Sequence, residues 1–594
     1  MIARDRGWRG IGGARRGVAA VLLAVVLAGC ATTVTLAPAT AGPTGGATAG
    51  ATIPASAGAS GQVASESPAA IASPPACPGP VAATASPVPT SQPGWWRDRV
   101  FYEAFVRSFA DSNGDGTGDL KGMIARLDYL NDGDPNTTTD LGVTGLWLMP
   151  TFPSPSYHGY DVTDYRSVNP DYGSVADMRA LVAAAHQRGI AVILDIPLNH
   201  TSSDDPWFVD SKKVGSKHAD WYVWSTQPEG SGWYPDGKRY YYAAFGPDFP
   251  DLNVKNAAVT AELTKDARFW LSDVGVDGFR LDAAKYMVED GPTTQNTPET
   301  HAWLHDLRTS LQETSPGALT LGEVWDTSPI SSSYVPDALD MTFDFTLASG
   351  YVDAASSGDA SSLGRLLARI TTLYPAGGFG AFLTNHDMDR VASTLGGDPA
   401  KLRLAAEMLL TGPGVPFVYY GEEIGMTGQK PDERIRTPMR WDTSTPADGF
   451  STHAPWEALS ADPGSLTVAT EAADPGSLLS SYRDLIRVRA DHPALSAGTY
   501  VPVMSDSPGI VAAIRSTPGE TTLVIANVTD APVATALTLA AGPLCGSPTT
   551  RLALGGDEGA SASAPVVTPA GGFTGYRPLD TIAPRSVVVI DLLP

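Results

Sequence analysis

Residues 174–197 read SVADMRALVAAAHQRGIAVILDIP, and the change of hydrophobic period inside this stretch decides the fold. Ser174 with Asp177 three residues later resembles a capping box. Met178, Leu181, Val182 and Ala185 then fall on one face at helical spacing, and Gly189 can stop the helix. The unbroken apolar run from Ile190 to Leu194, closed by Asp195, suits a parallel strand buried on both faces. The unit recurs downstream: Val259, Leu263, Ala267, Trp270 and Leu271 share a helical face, Gly275 breaks it, and Val276 to Asp282 reads as the next strand. Further strands are predicted at Val100 to Phe105, Val143 to Met149, Leu319 to Val324, Leu339 to Phe345, Gly380 to Thr384 and Val415 to Tyr420. These make eight, the number that closes an α/β barrel, a (β/α)8 fold with its working groups at the C-terminal ends of the strands.

Outward from the barrel the rhythm changes. A stretch rich in Tyr, Trp, Gly and Asp interrupts it after the third strand and reads as an inserted lobe over 201–255, which divides the barrel into 94–200 and 256–495. Short β-rich runs such as Thr521 to Asn527 and Ser586 to Leu592 predict an antiparallel β-sandwich over 496–594. Residues 31–93 are dominated by Ala, Thr, Ser, Pro and Gly, a composition that buries too little apolar surface to fold and predicts a tether.

Arg4, Arg6, Arg9, Arg15 and Arg16 precede a short apolar run from Val18 to Ala28, the pattern of an export signal. It ends in Leu27-Ala28-Gly29-Cys30, which resembles the lipobox of bacterial lipoproteins. That resemblance implies a signal over 1–30, lipidation at Cys30 and an extracytoplasmic chain held to the cell membrane by its anchor alone. Across 594 residues, 40 Lys and Arg against 64 Asp and Glu give a net charge of −24, which opposes binding to nucleic-acid phosphates. Only Cys77 and Cys545 remain, so no disulfide framework holds the fold; one bridge between them and two free thiols are both open.

Three acids stand at the ends of predicted strands: Asp282, Glu323 and Asp387. Barrel geometry converges such positions, and a close pair of carboxyls can act as nucleophile and as proton donor and acceptor. The four segments Asp195 to His200, Gly278 to Asp282, Gly322 to Trp325 and Phe382 to Asp387 resemble, in order, the signature segments of the α-amylase family of glycoside hydrolases, and the resemblance extends from about Trp95 to the C-terminus. It implies a retaining hydrolase with Asp282 as nucleophile, Glu323 as general acid/base and Asp387 holding sugar hydroxyls and stabilising the transition state. Arg280, two residues before Asp282, faces the same side of the strand and can keep that acid ionised. His158, Tyr160, His200 and His386 match the family's contacts to the sugar at the cleavage point, and Asp432 and Arg436 its grip on the glucose at the non-reducing side.

The run Asp111-Ser112-Asn113-Gly114-Asp115-Gly116-Thr117-Gly118-Asp119 alternates oxygen donors with Gly at the sharp turn, as a hard-cation loop requires. Calcium is the expected occupant, held structurally by Asp111, Asn113, Asp115, the Thr117 carbonyl and Asp119. A second calcium at Asn199 and Asp251, typical of many amylases, is left open because Tyr286 follows Lys285 where those amylases often supply His. Phe249 to Asn253 and Lys430 to Trp441 resemble the group between oligo-1,6-glucosidases and neopullulanases, which includes lipid-anchored α-amylases. The expected substrates are therefore α-1,4-linked starch-like glucans and maltooligosaccharides, acted on by a monomer. An α-glucosidase or a trehalose-synthase-like transglycosylase is the alternative. A non-catalytic sugar-binding protein should lack at least one of the three acids, and all are present.

Overall fold

The capping box forms as its residues suggest: Ser174 Oγ accepts the Asp177 amide at 3.3 Å, and the Asp177 carboxylate accepts the Ser174 amide at 3.0 Å. The helix Val175–Gln187 buries Met178, Leu181, Val182 and Ala185, and Gly189, at a φ of 74°, turns the chain into the strand. The computed structural model describes residues 89–555 and 561–594. The expected signal segment, Cys30, Cys77 and nearly all of the expected tether lie outside the described residues. Among the described residues no helix is long and apolar enough to cross a membrane.

The predicted barrel is closed. Its parallel strands are β1 (Phe101–Ala104), β2 (Gly145–Leu148), β3 (Ala191–Ile196), β4 (Gly278–Leu281), β5 (Leu319–Gly322), β6 (Met341–Phe343), β7 (Phe379–Ala381) and β8 (Val415–Tyr419), with β8 paired back to β1. Gly278 lets β4 and β5 approach, since a Cβ there would meet Leu319 O at 2.4 Å. The lumen is filled rather than open: Phe101 stacks on Phe417 at 4.7 Å, and Trp147 lies 5.3 Å from Phe343 and 6.2 Å from Phe417. Trp147 is also the floor of the site above, with His386 5.6 Å over it and the Arg280 guanidinium 5.4 Å from its ring.

Between β3 and β4 the chain carries the helix Pro206–Ser211 and a three-stranded antiparallel sheet of Trp224–Ser225, Arg239–Tyr242 and Trp233–Asp236, packed on Phe208. It returns at Asp251, which bridges His200. The helix Ala257–Phe269 widens into a π-turn over Trp270–Val274 before Gly275, a departure from the single regular helix that the spacing predicts.

The C-terminal part is antiparallel as expected. Its strands are β9 (Thr499–Ser505), β10 (Ile510–Thr517), β11 (Glu520–Asn527), β12 (Leu537–Leu539), β13 (Thr549–Leu554), β14 (Phe573–Tyr576) and β15 (Ser586–Leu593). They form one folded ladder in the order β13-β15-β11-β10-β9-β12-β14, because β9 pairs with β10 along Thr499 to Val503 and with β12 at Met504 and Ser505. Both arms contribute to one core that includes Ile514, Leu523, Phe573 and Ile590. Cys545 is disulfide-bonded.

Two buried guanidinium groups meet where this sheet adjoins the barrel, Arg515 from the sheet and Arg489 from the barrel's last long helix, Leu478–Asp491. Arg489 donates to Leu410 O at 2.8 Å and Gly412 O at 3.1 Å, and Arg515 to Thr411 O at 3.1 Å and Gly412 O at 2.9 Å. These carbonyls end the helix Pro399–Thr411, where backbone acceptors lack partners of their own.

Candidate active site

Arg280 organises the mouth of the barrel. It stands on β4 with its side chain only 1% exposed, and one terminal nitrogen, Nη1, reaches Asp195 Oδ1 at 2.8 Å and Asp282 Oδ1 at 2.7 Å. The other, Nη2, reaches Glu323 Oε2 at 2.8 Å. Asp282 and Glu323 are thus held on two ends of one planar cation. Three carboxylates around one guanidinium leave an excess of negative charge. Burial, reinforced by the charge of Asp282, pushes Asp195 up to about 6 and Glu323 up to about 7 despite the opposing pull of Arg280. The Ala283 amide donates to Glu323 Oε2 at 3.1 Å and fixes its direction.

A second chain of contacts runs from Asp195 across the mouth. The Tyr160 hydroxyl donates to Asp195 Oδ2 at 2.9 Å and lies 2.6 Å from His386 Nε2, its ring stacked on the imidazole at 5.6 Å. His386 Nδ1 meets Glu103 Oε1 on β1, and Nε2 lies 3.1 Å from Asp387 Oδ2. Burial works against a charged His386, but Asp387 and Glu103 outweigh it and raise the ring to about 10. Burial likewise opposes the charge of Asp387, which His386 and Arg436 nevertheless hold well below the usual carboxylate range. Arg436 closes the chain, with Nη2 2.7 Å from Asp387 Oδ1 and 3.1 Å from Asp432 Oδ2, and Nε donating to His386 O at 2.9 Å.

The other two histidines present defined faces. His158 Nδ1 accepts the Tyr160 amide at 3.1 Å, so its proton sits on Nε2. His200 Nδ1 faces Asn199 Oδ1 at 3.2 Å, while its buried Nε2 has no hydrogen-bond partner. Phe249 packs against both imidazoles, at 5.9 Å and 5.2 Å. Burial lowers both rings, which favours their neutral forms.

The contacts therefore connect Asp282, Glu323, Asp387, His158, Tyr160, His200, Arg280, His386, Asp432 and Arg436. Sequence reasoning gave no role to Glu103 or Asp195. Each is an acid in or at the end of an otherwise apolar strand, and that was the available signal. Phe249, between the two imidazoles, is a further residue that the sequence alone does not assign to the site.

The loop from Asp111 to Asp119 forms a separate network. Asp111 accepts the amides of Asn113, Gly114 and Gly116 at 3.0, 2.7 and 2.8 Å and the Ser451 hydroxyl at 2.6 Å. Asp115 accepts the Thr117 amide at 2.8 Å, and Asp119 accepts Ser112 Oγ and the Gly122 amide, both at 2.8 Å. Gly116 makes the turn at a φ of +93°, where a Cβ would lie 2.2 Å from Ala454 O. Asp111, Asp115 and Asp119 offer carboxylate oxygens and Asn113 an amide oxygen, with its Nδ2 donating to Asp115 Oδ2 at 2.9 Å, an oxygen set that fits a hard cation. At the other expected position, Asn199 Nδ2 donates to Asp251 Oδ2 at 3.3 Å and to Tyr286 O at 2.8 Å. Burial and the neighbouring Glu289 push the Asp251 carboxyl well above its ordinary value.

A closed parallel barrel with a close pair of acids at its mouth has the groups that glycoside cleavage needs, and residues 103–498 match the family described as alpha amylase, catalytic domain. The chain belongs to the α-amylase family of glycoside hydrolases. It is 39% identical over 442 residues to α-amylase 3 of Dictyoglomus thermophilum, covering 73% of this chain and 85% of that one. It is 33% identical over 497 residues to a trehalose synthase/amylase of Mycobacterium tuberculosis, covering 72% and 81%. The crystal structure of an α-amylase from H. orenii superposes with a TM-score of 0.71 at 38% identity, over 83% of this chain and 99% of that one.

Proposed function

We propose that the protein hydrolyses α-1,4-glucosidic bonds in starch-like glucans and maltooligosaccharides with retention of configuration. The observation that carries this reading is the shared guanidinium: Arg280 brings Asp282 and Glu323 together as the close carboxyl pair that a double displacement requires. Asp282 attacks the anomeric carbon while the Glu323 proton passes to the glycosidic oxygen, and the sugar is left bonded to Asp282. Glu323 then takes a proton from water, whose oxygen displaces Asp282. Asp387, His158, His200 and His386 hold hydroxyls of the ring at the cleavage point, Tyr160 supports that ring, and Asp432 and Arg436 bind the next glucose on the non-reducing side.

Asp111, Asn113, Asp115, the Thr117 carbonyl and Asp119 would hold a structural Ca2+, which fixes the loop following β1 and adds no step to the reaction. Cys30 would carry the lipid that keeps the enzyme, as a monomer, outside the cytoplasm.

A second reading is transfer of the glycosyl group to a sugar instead of water, which the similarity to a trehalose synthase/amylase favours. The products formed over time from amylose, maltotriose, isomaltose and sucrose, with Asp282→Asn as control, decide between them. Mixed maltooligosaccharides appearing early from amylose support α-amylase action. New disaccharides support transfer, and no products from any substrate overturn both.

A further inference from the structure

A second cluster of potential ligands lies away from the barrel mouth, where the last barrel helices meet the C-terminal sheet. His492 follows the helix Leu478–Asp491, Glu520 opens β11, and Asp591 lies on β15, the strand beside β11. One ligand atom from each of these three side chains falls within 4.8 Å of the others.

The hydrogen bonds around the cluster leave its inner atoms bare. His492 Nδ1 lies 2.6 Å from Val488 O, and because a carbonyl only accepts, Nδ1 carries a proton and Nε2 is the atom turned toward the cluster. That Nε2 lies 3.3 Å from Asp591 Oδ1, an ion-pair distance without hydrogen-bond geometry, and the two residues are 7% and 1% exposed. Arg551 engages only the outer oxygen, Asp591 Oδ2, at 2.9 and 2.6 Å. Glu520 uses Oε2 to accept the Ala494 amide at 2.7 Å, and it is half-buried, which leaves a path for solvent. A buried carboxylate oxygen facing an imidazole nitrogen needs a positive charge, either the ring's own proton or a cation bound between the two atoms, which would displace that proton.

We propose that His492 Nε2, Asp591 Oδ1 and Glu520 Oε1 bind a divalent transition metal, zinc being the best match, which clamps the C-terminal sheet to the barrel. One imidazole and two carboxylates, with a fourth position open to water, form a three-protein-ligand zinc set, whereas hard cations such as calcium favour oxygen alone. The Nδ1 bond to Val488 O is the outer contact that orients a metal-bound imidazole. The ligands come from both sides of the junction, so bound metal would oppose its opening.

The test uses the untagged full chain, stripped with chelator and resupplied with excess CaCl2 so that oxygen-rich loops are filled, then titrated with ZnCl2 by calorimetry. His492→Asn retains a donor for Val488 O, and Glu520→Gln retains an acceptor for the Ala494 amide, so each removes a ligand with little change in the surrounding hydrogen bonds. One zinc per chain is expected, with an affinity at least about tenfold weaker in each variant. X-ray absorption of the zinc-loaded parent should show a single imidazole among oxygen donors, and this readout does not depend on the variants folding. Failure of calcium-saturated parent to bind zinc at one per chain would overturn the site, as would unchanged affinity in both variants or a shell without imidazole.

Discussion

His386 Nε2 lies 3.1 Å from Asp387 Oδ2, while the other nitrogen of the same ring meets Glu103 on the first barrel strand. The imidazole is thus a buried cation between two anions, and it aims Asp387 into the mouth. Its folded-state value of about 10 stands above the ordinary 6.5, so its stabilising contribution is complete below about 6.5 and lost as pH rises through about 10. Glu103→Gln should destabilise the protein by about 3 kcal/mol at pH 6, with the difference from the parent shrinking toward pH 10. Urea unfolding across that range measures it, and a difference independent of pH would contradict the assignment.

Glu323 is pushed up to about 7 chiefly by burial, so it keeps the proton that bond cleavage requires up to near neutrality. The kcat/KM profile should fall on an alkaline limb near pH 7. Glu323→Gln should abolish that limb while sparing the first step on substrates with activated leaving groups. Asp282→Asn should lower kcat by more than about 1000-fold with oligosaccharide binding nearly intact. Near-normal turnover of the asparagine variant would remove Asp282 from the reaction.

A buried acid near the site carries a different consequence. Glu422 receives the Tyr482 hydroxyl at 2.8 Å, its other oxygen has no hydrogen-bond partner, and burial pushes it up to about 8. Since this stands above the ordinary 4.5, the associated stability is full below about 4.5 and falls as pH rises toward 8, with a slope of up to about 1.4 kcal/mol per pH unit. Glu422→Gln should flatten that decline. Unfolding midpoints of both proteins from pH 5 to 9 are the measurement, and parallel curves would refute the claim.

For the loop from Asp111 to Asp119, chelation with EGTA should lower Tm and added CaCl2 restore it. At a calcium concentration 100-fold above Kd the stabilisation should be about 2.7 kcal/mol. Asp111→Asn should abolish the response. A Tm that ignores both chelator and calcium would show that the loop stands on its own hydrogen bonds.

The helix from Ser174 and the strand after Gly189 were legible because each is encoded locally, by a cap, a period and a breaker. Arg280, Asp282, Glu323 and Asp387 were legible because a barrel places the ends of its strands together, so linear positions became spatial ones. Glu103 escaped because its role comes from His386, a residue 283 positions away, and nothing near it in the chain announces that partner. The π-turn at Trp270 escaped for a related reason: the Trp270 indole is held by Tyr165 O at 2.7 Å, a tertiary contact that local spacing does not carry. His492, Glu520 and Asp591 are single residues on three elements, and only the folded chain gathers them.

Gly412 O is shared by Arg489 from the barrel side and Arg515 from the C-terminal sheet. The seam between the two parts is therefore not a place where the protein can be divided. A shortened enzyme ending after the barrel would keep every group at the mouth, and Arg489 on Leu410 O and Gly412 O, yet lose the Arg515 donation to Thr411 O at the end of the helix that precedes β8. Exchange of the C-terminal part between relatives should succeed best when the incoming sheet brings its own cation to Thr411 O and Gly412 O.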